Sequence, residues 1–200
     1  MSDLVFGNLL KYLGEQGEFY RAAYPGGDTA YVRKSEAKPF REWFAETELT
    51  EESILEKALL LKGIPYTWGG TSTKMMDCSG FTKTVFLMNG IVLLRDASQQ
   101  VNTGISVDIS GGYENLRKGD LMFFGKKGEN GQKDRIRHVA IYIGDNQFIH
   151  ESGFARIASL DPTKDNYDEV NAREFVQARR IIGAVGTEGI TTLDKILTNK

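Results

Sequence analysis

The 200-residue sequence contains one cysteine, two histidines and four prolines, and each scarcity excludes something. A lone thiol, Cys78, cannot close an internal disulfide and leaves a cysteine-based metal cluster without ligands, so neither metal nor cofactor is expected. Charge of neither sign is in large excess: 25 Lys and Arg stand against 27 Asp and Glu, a formal net charge of −2. With no basic field to hold a phosphate backbone, nucleic acid is not an expected partner. No apolar run approaches the roughly 18 residues needed to cross a bilayer, so no membrane span is expected. The opening Met-Ser-Asp-Leu-Val-Phe-Gly has neither a basic n-region nor an apolar h-region. The sequence as it stands is therefore read as carrying no secretory signal, and the choice between cell envelope and cytoplasm stays open. Nothing identifies a protein partner.

What is present is the composition of a globular chain, 40% apolar and 26% charged, long enough for one ordinary domain and an appendage. Residues 1–48 read as a small β module. Short apolar runs at 4–6, 9–13, 18–24 and 29–33 are punctuated by Gly7-Asn8 and by Pro25-Gly26-Gly27-Asp28, a strong turn signal. Residues 39–50 read as a connector. From 49 to 200 the chain reads as one α+β domain, helices first and antiparallel strands after. Thr50 is placed to cap a helix with acids in its first turn, and a second helix runs from Cys78 to about Met88, stopped by Asn89-Gly90. Strands are expected at 120–125, 138–144, 147–151, 155–160 and 178–182, with 161–174 a loop and the tail from Gly183 a surface segment.

The chemistry centres on Pro65 to Phe81, which ends in Asp77-Cys78-Ser79-Gly80-Phe81. A thiol where a Gly-, Ser- and Thr-rich loop enters a helix meets free N–H groups and the positive end of the helix dipole, both of which favour thiolate. Taken alone, Cys78 is balanced between a small core hydrophobe and a nucleophile. His138 and His150 flank a hairpin turn at Asp145-Asn146. Regular two-residue pairing there places His150 opposite Ile141 and the two imidazoles on opposite faces of the sheet. If they cooperate, a bulge near 138 or 144–147 must shift the register.

Asp77-Cys78-Ser79-Gly80-Phe81 after Tyr66-Thr67-Trp68-Gly69-Gly70, with His138-Val139-Ala140-Ile141-Tyr142 and Phe148-Ile149-His150, resembles the NlpC-type cell-wall peptidase family over roughly residues 52–183. The resemblance implies a papain-like core of helices packed on an antiparallel sheet, with Cys78 as nucleophile, His138 as base and His150 orienting it. It further implies Cys78 N–H and the Tyr66 hydroxyl as oxyanion donors, and Asp77, Ser79 and Ser98 as substrate-holding groups. The Tyr-x-Trp-Gly-Gly and Arg-Asp-Ala-Ser-Gln-Gln stretches are similar to the subgroup that cuts γ-D-glutamyl bonds to a diamino acid in peptidoglycan stem peptides. Residues 1–48 resemble the latter part of a bacterial SH3-like module, reduced or truncated, onto which none of that module's binding residues can be mapped. Asp77 could pair with a free N-terminal ammonium of the substrate, or it and Ser79 could simply cap the Cys78 helix. An amidase or acyltransferase of the same fold and a non-catalytic wall-peptide-binding module remain the rival functions.

Overall fold

The computed structural model describes residues 3–198, which fall into two units that divide between Thr47 and Glu48. In the first, Pro25-Gly26-Gly27-Asp28 reverses the chain: Tyr24 N–H donates to the Asp28 carbonyl at 2.9 Å and Gly27 takes a φ of +91°. The turn joins β2 (Phe19–Ala23) to β3 (Thr29–Arg33), and β1 (Lys11–Gln16) pairs with the other side of β2, all antiparallel. The sheet buries only Ala22 and Val32, too little apolar surface to hold three strands by itself. Leu4–Phe6, read above as a strand, is not one, and residues 39–50 are not a plain connector. Pro39 opens α1 (Phe40–Glu46), whose Phe40, Trp43 and Phe44 pack together, Phe40 stacked on Phe44 and Trp43 tilted against both, with Phe6 edge-on to Trp43.

The second unit begins with α2 (Glu51–Leu60). Thr50 Oγ1 accepts from Ser53 N–H, and Ser53 Oγ accepts from Thr50 N–H, both at 3.1 Å. Serine thus completes the reciprocal cap that Glu usually makes. A two-stranded ribbon, β4 (Thr71–Ser72) and β5 (Met75–Met76), leads into α3 (Cys78–Met88), which Gly90 ends at φ +73°. Then follow β6 (Ile91–Leu93), α4 (Ala97–Gln100), β7 (Ile105–Val107), β8 (Leu121–Lys126), β9 (Arg135–Gly144), β10 (Gln147–Ser152), β11 (Phe154–Ser159), α5 (Glu169–Arg173) and β12 (Phe175–Arg180). The chain closes with β13 (Ile190–Thr192) and α6 (Leu193–Thr198).

Six strands form one antiparallel sheet in the order β11-β10-β9-β8-β12-β7. Alternation along the strands divides two cores. Leu121, Phe123, Val139, Ile141 and Ile149 face α3, where Phe81, Val85 and Phe86 are fully buried. Met122, Phe124, Ala140, Tyr142 and Phe148 face the other way, under Leu116, Leu160 and Ala172. The 161–174 stretch is not wholly loop, because Asp168 caps α5 inside it, its carboxylate accepting from Asn171 N–H at 3.0 Å. Nor is the tail a surface segment: β13 pairs with β6, and Ala184 and Ile190 join the α3 core. Among the described residues no helix is long and apolar enough to cross a membrane.

Candidate functional site

α3 starts at Cys78 because Asp77 caps it and the loop before it comes close enough to be bonded. Asp77 Oδ1 accepts from Gly80 N–H at 2.7 Å, and Oδ2 accepts from Gly69 N–H at 2.9 Å. Gly69 reaches that position with a φ of +78°, which favours glycine. The Gly70 carbonyl accepts from Asp77 N–H and lies so near the helix that a Cβ on Gly80 would fall 2.0 Å from it. The Gly-Gly and Ser-Gly of the motif are thus one close backbone approach seen from both sides.

Arg95 completes this cluster. Its Nη1 donates to Asp77 Oδ1 at 3.1 Å and its Nη2 to Oδ2 at 2.6 Å, while Nη1 also reaches Ser79 Oγ at 3.0 Å. Ser79 Oγ donates to Asp77 Oδ1 at 3.2 Å. Five donors occupy a carboxylate with about four lone-pair directions. Burial alone would push the Asp77 carboxyl up, but the bonds from Arg95, Gly80 and Gly69 outweigh it and hold the group below the usual carboxylate range. This geometry favours Asp77 and Ser79 as cap and clamp, since an incoming ammonium would have to displace Arg95.

The histidines reach one face as the sequence argument required. Asp145 and Asn146 both take positive φ, +51° and +57°, in a two-residue turn. The register then slips: Gln147 pairs with Gly144 but Phe148 with Tyr142, leaving Ile143 as the extra residue. That slip turns His150 to the side of His138, whose Nε2 lies 2.9 Å from His150 Nδ1. A second irregularity precedes His138, since Phe124 pairs with His138 and Gly125 with Ile136. It leaves Arg137 exposed, where it bonds Glu174 and donates to Asn171 Oδ1 at 2.9 Å.

β9 also bears on the thiol. Val139, one residue past His138, lies in the same core as Cys78, and its N–H, with those of Ser79 and of Cys78 itself, pulls the thiol toward the thiolate. These interactions do not make a resting thiolate. Burial dominates and, with Asp77 nearby, pushes the thiol up from its ordinary value against the pull of those N–H groups. Burial likewise drives His138 well below an ordinary imidazole, and His150 down to about 4, with Arg156 adding to the effect. The resting set is a buried thiol and two neutral imidazoles.

Tyr66 is half-buried, and its hydroxyl is pushed up by burial and next by the Cys78 charge. Trp68 in the same loop is exposed. Ser98 does not join this cluster: it stands exposed on α4, lining a groove of about 510 Å³ with Val101, Asn102, Ile136 and Gln177. Three contributors were missed from sequence. Arg95 is one; asking what neutralises a buried Asp77 could have found it. Another is Gln100, fully buried and accepting from Thr82 Oγ1 at 2.8 Å, which ties α4 to α3. The third is Glu151, fully buried, with neither carboxyl oxygen hydrogen-bonded among the described residues and its pKa raised by burial to about 7.

An α+β domain in which a helix that begins at a cysteine packs on an antiparallel sheet carrying an imidazole pair is of the papain-like class. The chain belongs to the NlpC/P60 family, whose model matches residues 63–180. It is 33% identical over 181 residues to a γ-D-glutamyl-L-lysine dipeptidyl-peptidase of Bacillus cereus, an alignment covering 90% of this chain and 51% of that protein. It is 45% identical over 100 residues to the murein DD-endopeptidase MepS/murein LD-carboxypeptidase of Escherichia coli, covering 50% and 48%. The crystal structure of an NlpC/P60 family protein from Bacillus cereus superposes with a TM-score of 0.71 at 32% identity, covering 88% of this chain and 55% of that one. The chain spans about half the length of these relatives.

Proposed function

We propose that this chain is a cysteine peptidase that hydrolyses γ-D-glutamyl bonds to a diamino acid in peptidoglycan stem peptides or their fragments. The observation that carries the reading is the 2.9 Å bond between His138 and His150, with Val139, the residue after His138, packed in the same core as Cys78. His150 occupies Nε2 of His138, which leaves Nδ1 to serve the thiol. The likeness to a γ-D-glutamyl-L-lysine dipeptidyl-peptidase supports the choice of bond.

Proton transfer from Cys78 to His138 accompanies attack of sulfur on the γ-carbonyl carbon, since neither charged form is stable in the buried resting site. The oxyanion that forms takes N–H of Cys78 and the hydroxyl of Tyr66. Collapse breaks the C–N bond, and His138 gives its proton to the departing amine. Water, losing a proton to His138, then adds to the thioester, and release of the γ-carboxyl product restores the thiol. Asp77 and Ser79, clamped by Arg95, fix where α3 begins and hence where the sulfur lies. Ser98 is assigned to the outer substrate groove. Residues 1–48 form the small β module and 49–200 the catalytic domain. A separate unit of three antiparallel strands supports the first assignment and its SH3-like character.

The test is mass spectrometry of L-Ala-γ-D-Glu-L-Lys and L-Ala-γ-D-Glu-diaminopimelate, each with a free and an acetylated N-terminus. Cleavage at the γ-glutamyl bond that vanishes in Cys78→Ala is expected. An intact bond in every peptide, or cleavage that persists in Cys78→Ala, would overturn the reading. Equal cleavage of free and acetylated peptides is the outcome that fits an Asp77 already filled by Arg95.

A further inference from the structure

If His138 is the base, its Nδ1 must be bare, and that demand passes along the hydrogen bond. A neutral His138 with a bare Nδ1 carries its proton on Nε2 and donates to His150 Nδ1. His150 must then carry its own proton on Nε2. In the reverse arrangement His150 donates through Nδ1, His138 is protonated on Nδ1, and it can accept nothing from Cys78. Whatever surrounds the far nitrogen of His150 therefore decides whether His138 can work.

That nitrogen is buried and hydrogen-bonded to no protein atom among the described residues. β9 brings His138 and Arg137 toward the ring, β10 itself the Phe148 ring at 5.0 Å, and β11 brings Arg156, directly opposite His150 in the ladder. The residue before α5, Asp168, brings a carboxylate to Arg156, the ladder partner of His150, and its charge acts on the imidazole. Asp168 is held in place: Oδ1 accepts from Asn171 N–H at 3.0 Å and Oδ2 from Asn171 Nδ2 at 2.8 Å. Arg156 Nη2 lies 3.8 Å from Oδ2, so cation and anion are set against each other beside one imidazole. A nearby carboxylate favours an N–H pointing outward from the ring, and a guanidinium favours a bare nitrogen there.

We propose that Asp168 is a positioning residue for the Cys78–His138 pair: its carboxylate, set against Arg156, selects the Nε2-protonated form of His150 and thereby the form of His138 that can accept a proton. No proton travels beyond His138 in this scheme; Asp168 acts on the equilibrium between two neutral forms and on the imidazolium that appears during turnover. The inference rests on the cysteine peptidase reading, but its test does not depend on any peptide being cut.

With two histidines in the chain, long-range ¹H–¹⁵N spectra of ¹⁵N-histidine protein near pH 7 report both rings without ambiguity. Both rings protonated on Nε2 are expected in the unsubstituted protein. Asp168→Asn keeps an acceptor for Asn171 but loses the charge; it should move the His150 proton to Nδ1 and slow iodoacetamide labelling of Cys78 about tenfold. Arg156→Gln should keep the Nε2 form and label at least as fast as the unsubstituted protein. A structural ion pair would move the two variants together, so parallel loss in both overturns the proposal, as do unchanged tautomers in Asp168→Asn. Should Asp168→Asn fail to fold, a His150 protonated on Nδ1 in the unsubstituted protein, or slower labelling in Arg156→Gln, still overturns it. Correct tautomers with no cleavage of any murein peptide would remove the proposed function and leave this inference standing.

Discussion

Two buried carboxyls, one just before Cys78 and one just after His150, are treated in opposite ways. Asp77 receives five hydrogen bonds, two of them from Arg95, and stays ionised. Glu151, one residue past His150, receives none among the described residues and is raised to about 7. The helix side of the site is thus saturated and fixed in one arrangement, while the β10 side holds groups whose proton content can change. A cap must not move if the sulfur is to sit in one place, whereas a base must be able to gain and lose a proton. The difference in satisfaction follows that difference in task.

The largest effect should come from removing the base on the sheet side, His138 on β9. His138→Ala is expected to lower kcat on a cleaved murein peptide by about a thousandfold, with KM little changed, because proton transfer is lost while the cap remains. Stopped-flow or discontinuous assay of product amine measures it. A loss under tenfold would mean that the imidazole pair is not the base, and the contrast between the two sides would fail.

Next comes the saturated side. Arg95→Met keeps the length of the side chain but strands an ionised Asp77 among its remaining donors. The guanidinium is about a third exposed, so the cost is below that of a fully buried pair, about 3 kcal/mol. Urea denaturation near pH 7 should show that drop, with the m-value unchanged. Arg95→Met with Asp77→Asn should recover part of it, as groups in one network do not add. A single variant within 0.5 kcal/mol of the parent would show, against this estimate, that Arg95 is not what keeps Asp77 charged.

How much of this was visible in the sequence differs between the same two sides. The cap was legible because it is local: Asp77, Ser79 and Gly80 act within one turn, and a Gly-rich approach announces close backbone. The cooperation of His138 and His150 was legible as a condition on register, which the Ile143 slip meets. Arg95 was not legible, because its pairing spans 18 residues and carries no periodicity. Glu151 was not legible either: alternation assigns it a face but cannot tell whether that face is covered. α1 had a signal that was passed over, aromatics at 40, 43 and 44. α5 and β13 had almost none, being five and three residues long and polar in sequence. Both are fixed by tertiary contacts, α5 beneath the second core and β13 on the edge of β6.

The smallest predicted effect is the one that tells the two carboxyls apart by sign. Asp77 lies below its ordinary value, so its contribution to stability is present above about pH 4 and is lost as pH falls further. Glu151 lies above its ordinary 4.5, so its contribution is fully present below that value and is lost as pH rises through about 7. Over the same window the two imidazoles act the other way. Both are held neutral, His150 down to about 4, so acidification from about 6.5 costs stability as the unfolded chain takes up protons that the native site refuses. In the parent protein these slopes oppose each other between pH 4.5 and 7, and a single stability curve hides both. Glu151→Gln removes one of them. Its stability relative to the parent should therefore rise between pH 5 and 8, by roughly 2–3 kcal/mol, and level off above pH 8. Paired urea denaturation curves at four pH values measure the difference directly. A difference independent of pH would mean that Glu151 finds a partner when it ionises, and the β10 side would then be as fully satisfied as the cap.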